Sequence, residues 1–316
     1  VISEGRVLRA DLHLHSYHSG HAGHLRFLRA RDCYSDPDAV YAAAKARGMD
    51  LVTITDHDSV DGCLEFLDRH PGADDFFISE EIECRVPGVD LKVHIGAYGI
   101  SERIHRDIQP LRRNVFEAVG YLRSEGVFYA LNHLFFFFKG QLPLDEYLGL
   151  ARRLFPAFEV RNGTMLAAHN ELAEAIVGRW SASSPGPLTA IGGSDSHTLR
   201  GIGTTYTEAP GSTRDEFLQS LRAGRARACG RHGSTWREAR EIYGVVGRYW
   251  ATLLGAGRQD LSWPRRTLGL AFSALSMPFE FSPLVVAALH KRDERRRVSA
   301  YRNVLLTPSA VAEQSR

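Results

Sequence analysis

Between residue 7 and about residue 230, short apolar runs alternate with longer stretches of helical periodicity. Strands are predicted at 7–15, 50–57, 76–84, 91–98, 127–133, 158–162 and 188–197. Helices are predicted between them. One begins at Asp36-Pro37, an N-cap followed by proline in the first turn, and stops at Gly48. Others cover 108–124, 144–154 and 169–180, and Thr213 with Glu216 forms a capping box for a further helix that stops at Gly224. Repeated strand-then-helix units imply a mainly parallel sheet. About seven units fit a closed or nearly closed α/β barrel, and an open doubly wound sheet is the competing architecture.

The pattern changes after about residue 234. Residues 236–254 read as a helix, with Trp236, Tyr243 and Trp250 at the seven-residue spacing of one packed face. Residues 267–290 are strongly apolar but interrupted by Pro278, Glu280 and Pro283, and a basic cluster follows at Lys291, Arg292, Arg295, Arg296 and Arg297. The charge and the prolines disfavour a transmembrane helix. The division expected is therefore an α/β unit over 1–233 and a helical extension over 234–316. The extension reads as packed on the first unit and separable from its chemistry, with a membrane-surface or protein contact as the alternative.

Composition narrows the class. Of 316 residues 44% are hydrophobic and 24% charged, which suits a folded chain, and a net charge of +2 excludes a general electrostatic trap for nucleic acid. Stable duplex binding is not expected. Cys33, Cys63, Cys84 and Cys229 show no CxxC spacing and read as free thiols in a reducing, cytoplasmic setting. Nothing at the N-terminus reads as a signal peptide, and the start at Val1 rather than Met leaves room for an upstream leader.

Histidine is the outlier, with fourteen copies. In Asp11-Leu12-His13-Leu14-His15 a strand puts both histidines on one face and both leucines on the other. Two adjacent inward imidazoles are costly to bury unless they bind something; hydrogen-bonded core histidines are the plain alternative. His21 follows in a loop that also carries His18 and His24. Thr55-Asp56-His57-Asp58 ends the next strand, and Glu80, Glu81 and Glu83 lie in the one after. Strand parity does not choose between Glu81 and Glu83. His94, His133 and the Gly193-Ser194-Asp195-Ser196-His197 run complete the set. These groups fall at the C-terminal ends of predicted strands, where barrel enzymes build their sites. Imidazole plus carboxylate without thiolate suits Zn, Mn or Fe, and the donors are too many for one four-coordinate ion.

In this order, Asp11-Leu12-His13-Leu14-His15-Ser16, Thr55-Asp56-His57-Asp58, Glu81-Ile82, His94-Ile95-Gly96-Ala97-Tyr98, His133 and Gly193-Ser194-Asp195-Ser196-His197 resemble the PHP (polymerase and histidinol phosphatase) family over roughly residues 7–230. The resemblance implies a distorted (β/α)7, TIM-like barrel with two or three divalent ions. It implies His13, His15, Glu81 and Asp195 around a first metal, Glu81 bridging to a second held by His94 and His133, and His21, His57 and His197 around a third. One departure stands out. Many members carry Ser-Asp-Gly where this chain has Ser19-Gly20-His21, and His21 fits a variant that uses histidine.

The implied activity is hydrolysis of a phosphoester, a phosphorylated small molecule or nucleotide, by a metal-activated hydroxide. Asp195 and His197 are the candidate catalytic side chains, and Arg161 and Arg200, beyond predicted strand ends, the candidate phosphate clamps. Arg26, Arg29 and Arg31 form a further basic patch, and the Phe135-Phe136-Phe137-Phe138 run suits an apolar lip or a buried joint. Hydrolysis of C–N or C–O bonds, and a non-catalytic docking module, are the rival readings.

Overall fold

A computed structural model describes residues 6–21, 28–183, 186–256, 261–276 and 282–306. His24, Arg26, Pro278 and Glu280 lie outside them. The strands are β1 (Val7–Ala10), β2 (Ser79–Val86), β3 (Leu91–Tyr98), β4 (Phe128–Leu131), β5 (Ala157–Asn162), β6 (Thr189–Gly193), β7 (Thr205–Pro210) and β8 (Arg227–Gly230). The helices are α1 (Pro37–Ala46), α2 (Asp61–Arg69), α3 (Glu102–Ile108), α4 (Val115–Ser124), α5 (Leu144–Leu154), α6 (Ala167–Ala182), α7 (Arg214–Arg222), α8 (Thr235–Leu253), α9 (Trp263–Ser276) and α10 (Ser282–Leu306).

Local chemistry sets several boundaries as expected. Asp36 accepts a hydrogen bond from the Asp38 amide and Thr213 one from the Glu216 amide, each satisfying a free helix-start donor. Gly126 and Gly224, at φ of +65° and +70°, turn the chain out of α4 and α7 in a conformation costly for other residues. Helix 108–124 is instead broken. A 3-10 turn over Gln109–Arg113 replaces its start, and Asn114 caps α4 afresh by accepting from the Phe116 amide.

The sheet is less parallel than expected. Five strands run in the order β2-β3-β4-β5-β6, and three in the order β1-β7-β8. Only β4–β5 and β5–β6 are parallel ladders; β2–β3, β3–β4, β1–β7 and β7–β8 are antiparallel. The reason is visible at 87–90. Four residues are too few for the crossover a parallel pair needs, so Pro87-Gly88 turns β2 back as a hairpin. Residues 50–57 form isolated parallel bridges, Ala10–Leu51, Val52–Phe76 and His57–Glu81, and a further bridge joins Leu14 to Ser196. The ladders alone do not close into a ring.

Apolar residues of β2–β5 and of α4, α5 and α6 form the largest core, around Ile82, Ile95, Leu122, Tyr147, Phe158 and Leu172. Among the described residues no helix is long and apolar enough to cross a membrane. The segment after 234 is helical, and α10 lies against α8 and α6. The face of α8 that packs is not the predicted one. Trp236 is 70% exposed and Tyr243 40% exposed, whereas Ala239, Tyr249, Thr252 and Leu253 are buried.

Candidate metal centre

The alternation read at 11–15 holds in three dimensions. Leu12 and Leu14 enter apolar clusters, while His13 and His15 are fully buried with ring centroids 5.2 Å apart. Gly193 is required beside them, because a Cβ there would collide with the His13 side chain and backbone. Asp11 accepts from the Ser194 and Gly203 amides at 2.8 and 2.7 Å, tying the first strand end to the last; burial raises its pKa to about 6 against these hydrogen bonds. Asp58, His133 and Asp195 adopt positive φ of 52°, 31° and 51°. Such backbone costs about 1–3 kcal/mol per residue and gathers at functional sites.

Glu81 is the hub. Its Oε1 lies 3.1 Å from His13 Nε2, 3.0 Å from His94 Nδ1 and 3.1 Å from His133 Nε2. Its Oε2 lies 3.0 Å from His57 Nδ1 and 3.7 Å from His15 Nε2. Asp195 Oδ1 faces the same space, 3.5 Å from Nε2 of both His13 and His15. The ambiguity among the β2 carboxylates resolves by position. Glu80 turns to His105 at 2.9 Å, and Glu83 pairs with Lys92 at the rim.

The donor set fits metal better than it fits itself. His13 Nε2, His15 Nε2, His94 Nδ1 and Glu81 Oε2 are buried polar atoms that make no hydrogen bond of acceptable geometry despite these short separations. Donors about 2.1 Å from a shared ion lie roughly 3.0–3.4 Å from one another, which is the spacing seen around Glu81. Four overlapping groups have donor atoms within 4.8 Å: His13-His15-Glu81, His13-His133-Asp195, His57-Glu81-His94 and His15-His57-His197.

Charge follows this crowding. Burial lowers the His15 pKa to about 3, helped by His197 and His57, so its imidazole is neutral and ready to ligate. Burial would depress His13 and His57 too, but the neighbouring carboxylates, Glu81 foremost, hold them well above the usual range. Burial opposes ionisation of Glu81 and Asp195, yet the histidines, His13 first, hold both well below it. Surrounding groups fix the ring orientations. His13 Nδ1 meets Glu159 at 2.9 Å, and His15 Nδ1 meets Ser19 Oγ at 2.8 Å, which in turn donates to Asp56 at 2.9 Å. Asn132 donates to Glu81 at 2.9 Å.

His21 forms a bridge with Arg31 and is in none of the four groups. That bridge instead delivers Asp32, whose Oδ2 lies 3.0 Å from His197 Nε2 and 3.4 Å from His57 Nε2. Sequence reasoning missed Asp32, which sits in a loop without periodicity, and Glu159, which is hidden in an apolar strand. Arg161 donates to the Gly230 carbonyl and Glu174. Arg200 is exposed, and its carbonyl accepts from Arg47. No hydrogen bond or ion pair brings either arginine to the histidines among the described residues. His18 pairs with Glu65 at 2.6 Å. Phe137 packs against His94 and Phe136 against His133, whereas Phe135 and Phe138 are buried. A cavity of about 420 Å³ opens at the other end of β4–β6, lined by Arg123, Arg152, Arg153 and Arg222, and holds none of the histidines.

The fold and the site define a mixed α/β protein with a buried histidine–carboxylate centre at its strand ends. Residues 169–226 match the PHP-associated family model. PsfC from Pseudomonas syringae PB-5123 superimposes with a TM-score of 0.53 at 18% identity, over 78% of this chain and 99% of that one. A two-domain protein from Bacteroides vulgatus ATCC 8482, described as containing a PHP-like metal-dependent phosphoesterase, gives 0.51 at 19% identity over 77% and 71%. No curated protein matches the sequence. One segment of the sequence thus resembles the PHP-associated family, and the fold resembles that of a protein described as containing a PHP-like domain.

Proposed function

We propose that this chain is a metal-dependent phosphoester hydrolase with two or three divalent ions at the strand ends. The observation that carries the reading is Glu81, a carboxylate within 3.0–3.7 Å of five imidazole nitrogens, several of them unsatisfied. On this reading the two sheets and their bridges form the distorted barrel. His13, His15, Glu81 and Asp195 hold one ion, and Glu81, His94 and His133 a second. His57 and His197 hold a third with Asp32, which takes the place proposed for His21. Zn, Mn or Fe suits these donors. Such ions supply Lewis acidity, which lowers the pKa of water and offsets charge growing on a phosphoryl group.

The protein's own groups orient and exclude. Glu159, Ser19 and Asp56 fix the histidine rings, and the Phe136–Phe137 edge shields the mouth. The clamp role read for Arg161 and Arg200 passes to cations beside the ligands. Arg112 pairs with Asp58 next to His57, and Arg31 precedes Asp32. The similarity to a protein described as a phosphoesterase supports this reading, and the buried, complete donor set favours it over a non-catalytic docking module. Phosphomonoesters, phosphodiesters and N-acyl amines offered to Mn-, Zn- and Fe-reconstituted protein test it. Phosphoester turnover is expected; turnover of the C–N substrates alone overturns it.

A further inference from the structure

The extension after residue 234 touches the centre at two loops. The first follows β5. Lys291 of α10 is 4% exposed; its Nζ donates to the Thr164 carbonyl and to Glu294, both at 2.7 Å, and pairs with the Glu238 carboxylate at 3.2 Å. Glu294, 5% exposed, accepts from the Leu166 amide at 2.8 Å. Gly233, just before α8, donates to the Met165 carbonyl at 2.7 Å. Three consecutive residues, 164–166, are therefore held through their backbone by the segment after the last strand. The second loop follows β6. Ser196 meets Glu241 of α8 at 3.3 Å, and Arg237 donates to the Gly201 carbonyl and the Thr204 hydroxyl.

These contacts converge on Asp195. Its Oδ2 accepts from Asn162 Nδ2 at 3.1 Å and lies 3.1 Å from Thr164 Oγ1, whose one proton is shared with Asn162 Oδ1 at 2.7 Å; this leaves Oδ1 facing His13 and His15. Its backbone is left-handed and must be held by its surroundings. Burying Lys291 and Glu294 costs several kcal/mol per ion, and apolar side chains would dock a helix at least as well. The charges instead engage backbone groups of the loop that orients Asp195.

We propose that α8 and α10 form part of the metal centre, with Lys291 and Glu294 as positioning residues that set Asp195 through Thr164. The extension thereby tunes metal affinity. This rests on the metal centre proposed above.

The test compares the full-length chain with Lys291→Met/Glu294→Met and with Thr164→Val, each checked by thermal melting and titrated with Mn and Co by calorimetry and Co absorption. Both variants are expected to melt cooperatively, to lose about 10- to 100-fold in affinity, as removal of outer partners of metal ligands does, and to shift the Co spectrum. Combined, they should cost little more than the larger single loss, because they act through one path. Lys291→Gln, which keeps one donor, replaces the double variant if that one does not fold and should fall between wild type and Thr164→Val. Affinity within twofold of wild type in Thr164→Val, or in whichever folded α10 variant is tested, overturns the proposal while leaving the metal centre standing. A wild-type chain that takes up no metal overturns both.

Discussion

Replacing Glu81 with Gln removes one charge and preserves shape, so it isolates what the carboxylate does. Its two oxygens serve five imidazole nitrogens at 3.0–3.7 Å. At about 4 Å and an effective dielectric of about 20, one charge interacts with each unit of positive charge by about 4 kcal/mol. That corresponds to roughly a thousandfold for a single unit of charge, and so to at least that for a divalent ion at the hub. Asn132 keeps a partner in the amide oxygen, so the local fold has little reason to change. Competition against a chelator of known affinity measures the loss, elemental analysis counts the ions retained, and thermal melting checks the fold. Glu81→Gln should melt cooperatively, bind its tightest ion at least about a thousandfold more weakly and lose turnover. A folded variant with wild-type stoichiometry and affinity within about fivefold refutes the bridging role.

Asp32→Asn should lower metal content by one ion while leaving the tighter sites filled, and His21→Ala should not; the reverse pattern in elemental analysis restores His21 as the ligand. Asp195→Ala should abolish turnover, and His18→Ala, which removes a partner of Glu65 rather than a hub ligand, should leave it nearly intact in the same assay. Glu294 is held at about 2 against an ordinary 4.5: burial would raise it, but His169 and Lys291 outweigh that. A depressed carboxylate stabilises the fold fully above its unfolded pKa and loses that contribution as pH falls through the folded one. About 3 kcal/mol should therefore disappear between about pH 4.5 and 2. Urea melts of Glu294→Gln across that window should show a shallower acid slope than wild type; parallel slopes contradict it.

The centre was legible where geometry is periodic. His13 and His15 sit two apart in an extended run, so alternation alone put them together; Asp195 and His197 also sit two apart, but past the end of β6 and across the left-handed backbone of Asp195. Glu81 against Glu83 was not decidable by parity, nor by register, which sets Glu83 opposite His94; it took the distances, 3.0 Å from His94 to Glu81 against 3.8 Å to Glu83. Asp32 reaches the histidines through the 21–31 bridge, a long-range pairing that leaves no local pattern, and Glu159 lies among apolar neighbours that read only as core. The parallel reading failed at Pro87-Gly88, where loop length outweighs the alternation of strands and helices. The stripe of Trp236, Tyr243 and Trp250 misled because α8 buries Ala239, Tyr249, Thr252 and Leu253 instead, with Arg237 and Glu241 against loops of the site and Glu238 against Lys291 of α10.

Metal content of gently purified, gel-filtered wild-type chain tests the central claim most directly, by elemental analysis before and after reconstitution with Zn, Mn and Fe. The account predicts about two to three equivalents of transition metal per chain, the number that this surplus of nitrogen and oxygen donors supports. Less than about one equivalent, with no uptake on reconstitution, would contradict it.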